Sequence, residues 1–190
     1  ALLALGDGRI GTTGAPLLAS PDADPEVFAA GMYDGDGSAT DLLPAPRWDR
    51  LPGVLGARDR IERMLDLRTG MLGERVTGGH DLTAVRFLSR ARPGTAVLRA
   101  RGRDAVGGSA ILGPPGAARG RTGVAEWVAV RGSGGAIGAA AVDRSDADAL
   151  DRIAVFRTGG AVGAAESMAV AAVDAATRAA TVGFDVLAAE

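Results

Sequence analysis

Four residue types are missing from this sequence of 190 residues: it has no cysteine, lysine, asparagine or glutamine. Without cysteine there are no disulfides, thiolate metal sites or cysteine nucleophiles. Without lysine, all 21 basic residues are arginines, and His80 is the only other side chain that can carry a positive charge. Without side-chain amides, which commonly serve sugars as paired donors and acceptors, any saccharide contact must come from charged, hydroxyl, aromatic or backbone groups.

Aromatic residues and net charge are also low, at 4% and −2. A nearly balanced charge offers no electrostatic footprint for nucleic acid or an anionic membrane surface. No apolar run approaches the roughly 20 residues that a membrane-spanning helix requires. The opening ALLAL is too short for a signal peptide and lacks its basic region. We therefore expect a cytoplasmic protein that binds neither nucleic acid nor membranes.

Glycine is abundant, with 29 residues, and favours short strands joined by turns. The clearest segment runs from Ile61 to Thr77, where side chains alternate on both arms around a turn at Arg68 to Gly70. This pattern predicts a β-hairpin in which Gly70 supplies a positive φ. Further strands are predicted at 82–89, 96–101, 124–131, 137–142 and 150–156. Many short strands with glycine-rich turns are typical of an antiparallel β-sandwich.

The sequence also predicts which side chains of these strands face the core. In the strand at 82–89, Val85 and Phe87 are expected to point inward, and in the strand at 96–101 the inward residues are Ala96, Leu98 and Ala100. This interpretation places apolar side chains inside and charged ones outside.

The last thirty residues differ in character. Polar side chains from Glu166 to Thr181 fall in one arc of a helical wheel, opposite an alanine-rich face, which predicts an amphipathic helix. We expect Gly183 to end it and Phe184 to begin a second short segment. The sequence thus divides into a sandwich domain, residues 1–160, and a helical linker, residues 161–190. A helix cut in mid-turn at Glu190 suggests that the natural chain continues.

Several segments resemble one enzyme family in the right order. LDLRTGMLGERV at 65–76 resembles a segment of the form LDLRTGxLxRxV, and GDGRIGTTGAP at 6–16 resembles GNGYLGTRGAP. AAGMYDGDG from Ala29, LLPAPRWDRL from Leu42 and RFLSRA from Arg86 are similar to AGVYN, VNLPNWLPL and RFVSMA. These motifs are those of the N-terminal domain of the family 65 glycoside hydrolases, the maltose, trehalose and kojibiose phosphorylase group.

The resemblance implies a galactose mutarotase-like super-sandwich that precedes an (α/α)6 catalytic barrel in the same polypeptide. The parent enzyme would cleave α-glucosides with inversion, by phosphorolysis or hydrolysis, with a glutamate of the barrel as general acid. Inorganic phosphate would be the co-substrate of a phosphorylase, and no cofactor is implied. This chain would then hold no catalytic residue; it would scaffold the barrel and contribute to a homodimer.

Two other functions stay open at this point. A carbohydrate-binding module would need a row of exposed aromatic rings, and few aromatics remain once a core is filled. An aldose mutarotase-like enzyme would need a His and Glu acid/base pair, usually with more than one histidine, and the chain has only His80.

Sugar-contact candidates are few. Trp48 lies in a proline-flanked loop beside Arg47 and Asp49, where its ring could stack on a sugar face, and Tyr33 is a similar case. The alternative is that Trp48 anchors its loop to the sandwich.

Three other motifs favour structural roles. Gly6-x-Gly8-x-x-Gly11 matches a dinucleotide fingerprint, but no helix follows to hold a pyrophosphate. Asp34-x-Asp36-x-Ser38 resembles the start of a calcium loop, yet the position of the bidentate glutamate is Ala45. His80 is predicted at a hairpin tip, and one histidine cannot form a multi-histidine metal site. We expect no metal site.

Overall fold

A computed structural model describes residues 3–18, 27–35, 40–160 and 162–188. These form two antiparallel sheets and a C-terminal helix, which confirms the predicted antiparallel sandwich. The smaller sheet has strands in the order β1-β2-β3-β4: Leu5–Gly6, Ile10–Thr12, Val27–Gly35 and Thr40–Pro44. No helix in the described ranges is both long and apolar enough to cross a membrane.

The larger sheet has eight strands in the order β5-β6-β7-β8-β12-β11-β10-β9. Their bounds are Arg60–Asp66 (β5), Met71–Thr77 (β6), Leu82–Leu88 (β7), Thr95–Arg101 (β8), Ala118–Thr122 (β9), Ala125–Gly132 (β10), Gly135–Asp146 (β11) and Ala149–Gly159 (β12). A short 3-10 turn, Val162–Ala164, leads into helix α1, Ala165–Ala188.

The large sheet buries both of its faces where α1 covers it. Along β11, Ile137, Ala139 and Ala141 belong to the apolar core that fills the space between the two sheets. The alternate residues Ala140 and Val142 belong to a second cluster that packs under α1. Side chains alternate across a strand, so this three-layer arrangement explains why the last strands are apolar on both sides.

The facing of β7 differs from the prediction. Val85 and Phe87 lie on the outer face and are only partly buried, whereas Leu82, Ala84, Arg86 and Leu88 point into the sandwich. The prediction was wrong because it placed the arginine outside; Arg86 is 1% exposed. The inward residues of β8 are predicted correctly, since Ala96, Leu98 and Ala100 all lie in the core between the sheets.

Helix α1 does not end at Gly183; it is continuous to Ala188, so the predicted break is wrong. Gly183 lies against the sheet, where an added Cβ would be 2.7 Å from Ile153 Cδ1. The close packing of the helix outweighs the roughly 1 kcal/mol that glycine costs in a helix interior. A second glycine, Gly138 of β11, allows the helix to lie close to the sheet. A Cβ at this position would overlap the backbone of Met168 and Ala169.

The hairpin of β5 and β6 is confirmed. Leu65 pairs with Leu72 and Asp66 with Met71, and Asp66 Oδ1 accepts a hydrogen bond from the N–H of Arg68 at 2.9 Å. Gly70 closes the turn with φ of 71°.

Gly70→Val should lower the free energy of unfolding by ~1–2 kcal/mol, because a β-branched residue tolerates a positive φ poorly. A Cβ on Gly70 meets nothing within 4 Å, so the effect would come from the backbone alone. Gly160→Val is the matched control, since Gly160 has open space and no positive φ; its change should stay within about 0.5 kcal/mol. Equal effects of the two variants in urea denaturation would contradict the turn assignment.

Candidate functional site

The centre of the sandwich contains a buried ion cluster around Arg86. One guanidinium nitrogen lies 3.1 Å from Asp49 Oδ2. The other lies 3.5 Å from Glu74 Oε2 and donates to the carbonyl of Ala15. The Arg86, Asp49 and Glu74 side chains are all 1–2% exposed. The cluster joins the loop after β4, the strand pair β6–β7 and the segment after β2.

Both carboxylates of the cluster also bind the segment at residues 12–17. Asp49 Oδ2 accepts a hydrogen bond from the Thr12 hydroxyl at 3.1 Å, and Glu74 Oε1 accepts one from the Leu17 N–H at 2.9 Å. Burial raises the pKa of Glu74 above its ordinary value, although Arg86 and the Leu17 N–H act in the opposite direction. Burial is therefore the dominant influence on this carboxyl group.

A second buried arginine, Arg152 of β12, holds the same loop from the other side. Its Nε and Nη2 each lie 2.7 Å from one oxygen of Asp143, in a bidentate pair. Its Nη1 donates to the carbonyls of Trp48 at 2.9 Å and Arg50 at 2.8 Å. The loop 45–51 is thus fixed by two arginines that point inward from the large sheet, Arg86 through Asp49 and Arg152 through backbone carbonyls.

This loop forms one wall of a groove of about 980 Å³. The other wall is the segment 109–119, joined to the loop by paired backbone hydrogen bonds between Arg47 and Leu112 at 2.7 and 2.8 Å. Glu126 of β10 holds this second wall by accepting from the Ser109 hydroxyl and the Ala110 N–H. The lining residues described by the structure are Pro44, Ala45, Arg47, Arg50, Leu51, Pro52, Gly53, Val54, Ser109, Leu112, Gly113, Pro114, Pro115, Gly116, Ala117 and Arg119.

The side chains that line the groove are mostly apolar or positively charged. Its described lining includes three arginines, four prolines and a serine, but no carboxylate. Inverting cleavage of a glycoside with water needs a proton donor and a base about 6.5–9.5 Å apart, both of them carboxyl groups. The described lining supplies neither, so these residues alone cannot carry out this chemistry.

The four residues predicted as sugar contacts do not come together in one open site. Trp48 is 0% exposed and Asp49 only 2%, Asp49 being engaged with Arg86. Arg47 lines the groove, and Tyr33 is 45% exposed on β3, away from the described lining. The buried position of Trp48 is that of a residue that anchors its loop to the sandwich. Its ring could stack on a sugar only if the loop opened. The sugar contact therefore stays a prediction.

His80 is paired with Asp59 rather than placed among potential metal ligands. His80 Nδ1 lies 2.8 Å from Asp59 Oδ2, which also accepts from the Gly56 N–H at 2.7 Å. Asp59 Oδ1 accepts from the N–H groups of Gly79 and His80. The hydrogen bond from Gly56, with that from His80, lowers the pKa of Asp59 to about 2. The pair closes the turn between β6 and β7 against the entry of β5.

The remaining sequence motifs have structural explanations where they are described. Asp7 Oδ1 accepts from the N–H groups of Arg9 and Ile10, which makes the glycine-rich opening a turn between β1 and β2. Asp34 Oδ1 accepts from the Ser133 N–H at 3.0 Å, while Asp36 and Ser38 lie outside the described residues. No group of three potential metal ligands occurs in the described part of the chain.

The burial of Arg86 and Arg152 was not predicted from the sequence. The only available signal was their position: Arg86 shares a face with Leu82 and Ala84, and Arg152 shares one with Leu150 and Ala154. A charged residue on the same face of a strand as apolar residues indicates either that the residue lies at the edge of the core or that it has a buried partner of opposite charge.

Comparisons with known proteins add information on the fold. No protein-family model matches the sequence, and no curated protein matches it. Among solved structures, the chain is similar to one described as "Putative kojibiose phosphorylase from human microbiome", with a TM-score of 0.65 and 12% identity. The similarity covers 93% of this chain but 30% of that one. At this identity the likeness shows a shared fold, which corresponds to under a third of the larger protein.

Arg86→Met should destabilise the domain by ~3–5 kcal/mol, because it leaves Asp49 and Glu74 buried without their cation. Arg131→Met is the control: Arg131 pairs with Glu166, but both side chains are about half exposed, so the cost should be ~0–1 kcal/mol. Chemical denaturation measures both changes.

A double-mutant cycle with Glu74 tests whether the two side chains are energetically coupled. Glu74→Gln retains an oxygen for the Leu17 N–H and removes one buried charge, so Arg86→Met/Glu74→Gln should lose less stability than the two single changes added together. Additive losses would contradict coupling between these side chains.

The stabilising effect of Asp59 should depend on pH. Its folded pKa of about 2 lies below the ordinary 3.8, so its stabilisation is fully present above about pH 4 and is lost as the pH falls toward 2. The stability gap between wild type and Asp59→Asn should close over that range in urea titrations. Asp41→Asn, at an exposed aspartate of β4, is the control. A gap that stays constant from pH 6 to 2 would contradict the role of the carboxylate charge.

Proposed function

We propose that this chain is a non-catalytic sandwich domain of an α-glucoside phosphorylase or hydrolase and that it scaffolds a catalytic domain of the same polypeptide. The observation that carries the proposal is the fold match: nearly the whole chain superposes on under a third of a glycoside phosphorylase-like structure. The ordered LDLRTG, GDGRIG and RFLSRA motifs point to the same class of enzyme. The expected homodimer remains a prediction.

The roles of the carboxylates that pair with arginines support this proposal. Asp49 and Glu74 bind Arg86, and Asp143 binds Arg152; these two arginines hold the loop at 45–51. Asp151 accepts from Arg99, Arg101 and Arg144 between the large sheet and α1. Carboxylates that are committed to ion pairs and backbone N–H groups organise a fold; a general acid instead needs an open face toward the substrate.

The two alternative functions receive less support. Trp48 is fully buried, and Trp127 of β10 packs against Gly120, where an added Cβ would lie 2.6 Å from its ring. Neither tryptophan presents the flat exposed face of a carbohydrate-binding module. For a mutarotase-like enzyme, His80 would have to pair with a glutamate, whereas it binds Asp59.

The 190-residue chain alone should neither hydrolyse nor phosphorolyse maltose, trehalose, kojibiose or nigerose. Glucose release and glucose 1-phosphate formation, each measured against a buffer control, check this expectation. Activity that appears only when a polypeptide beginning near Glu190 is added would support the scaffold role.

Activity of the chain by itself would overturn the proposal, provided that one Glu→Gln change abolishes it. Glu126 and Glu62 are suitable positions to test, since Glu126 lies beside the groove wall and Glu62 is exposed on β5.

A coding sequence that continues past Glu190 into some 400 residues of paired helices would support an (α/α)6 partner.

A further inference from the structure

A second cavity lies along the line where α1 meets the large sheet, and we propose that it binds a small phosphate-bearing molecule. Its volume is about 430 Å³, within the usual range for small-ligand sites. Three arginines from three separate elements line it: Arg92 from the turn before β8, Arg157 from β12 and Arg178 from α1. No carboxylate occurs in its described lining. This inference rests on the cavity and not on the proposed enzyme function.

The turn that carries Arg92 is held rigidly. The Thr95 N–H donates to the carbonyl of Arg92 at 3.0 Å, and the Arg92 N–H donates to the Ser89 hydroxyl at 3.2 Å. Gly94 is held from both sides: its N–H donates to Asp7 Oδ2 at 2.6 Å, and its carbonyl accepts from the Phe156 N–H at 2.8 Å. A fixed turn lowers the ordering cost of binding a ligand.

Arg157 is positioned beside this turn. Its Nη1 donates to the carbonyl of Phe156 at 2.9 Å and lies 3.8 Å from the place that a Cβ on Gly94 would occupy. One hydrogen bond therefore orients the guanidinium group, which has further N–H donors for an oxyanion. Thr95, which is 8% exposed, adds a hydroxyl group to the same lining.

Arg178 brings the third charge from the helix. It forms an i,i+4 pair with Asp174 at 2.8 Å, and both side chains are 72% exposed. Exposed pairs of this kind are weak, so a doubly charged oxyanion can compete with Asp174. The small side chains of Ala175 and Ala179 on the same helix flank leave the space that the ligand would fill.

The chemistry of the cavity selects the ligand class. Planar guanidinium groups bind phosphate oxygens in a bidentate manner, and three of them match a phosphate monoester better than a single carboxylate. The apolar part of the lining, with Val155, Ala179 and Val182, leaves room for a compact organic group beside the phosphate. Inorganic phosphate and a sugar phosphate share this chemistry.

Calorimetric titration of the chain with inorganic phosphate, glucose 1-phosphate and glucose tests the proposal. We expect saturable binding of the two phosphates and none of glucose. Arg157→Gln and Arg178→Gln should each weaken binding about tenfold. Asp174→Asn should strengthen it about twofold, because it removes the competing carboxylate. Arg121→Gln, on the exposed edge strand β9, is the matched control for loss of one positive charge.

Each outcome has a defined meaning. Tighter binding of glucose 1-phosphate than of inorganic phosphate identifies a sugar phosphate as the ligand, and the reverse order identifies the free anion. The proposal is overturned if no saturation occurs below about 10 mM, if Arg121→Gln weakens binding as much as Arg157→Gln, or if Asp174→Asn leaves the affinity unchanged. Circular dichroism verifies that each variant is folded. A ligand-induced rise in melting temperature gives an independent readout of binding.

Discussion

The structure depends on two arginines that point into the sandwich from the large sheet. Arg86 and Arg152 are almost completely buried, and both hold the loop 45–51, one through Asp49 and the other through backbone carbonyls. Arg152 makes four hydrogen bonds with three nitrogens, which lysine, with a single donor group on a flexible stem, could not reproduce in the same plane. The paired charges give the loop one position, although isolated buried charges would be costly. The same loop forms one wall of the groove, so the two arginines also fix the position of that wall.

The local elements could be predicted from the sequence because their signals are local. Alternation around Gly70 predicts the hairpin, and the polar arc from Glu166 to Thr181 predicts the helix. The buried ion cluster could not be predicted, because its partners are far apart in the chain: Arg86 is 37 residues from Asp49 and 71 from Ala15. A pattern that places charges outside therefore reversed the facing of Val85 and Phe87. Gly183 was misjudged for a related reason, since its contact with Ile153 exists only after the helix has docked.

The candidate site residues also depend on contacts between distant parts of the chain, which the local sequence does not reveal. Trp48 and Asp49 stand in a loop whose sequence is compatible with either a sugar contact or an anchor, and only the three-dimensional contacts place them inside. The groove, with its arginine and proline lining, is built from segments that are some 65 residues apart. Its described residues offer positive charge and apolar surface, and no carboxylate is among them.

Native-state hydrogen exchange tests most directly whether the arginines lock the loop. The N–H of Leu51 donates to the carbonyl of Leu17, and that of Arg47 donates to Leu112. If Arg86 and Arg152 fix the loop, these two N–H groups should exchange only with global unfolding, at the same free energy as Leu98 in the core of β8. Exchange of Leu51 and Arg47 through a low-energy local opening, while Leu98 stays protected, would contradict the account.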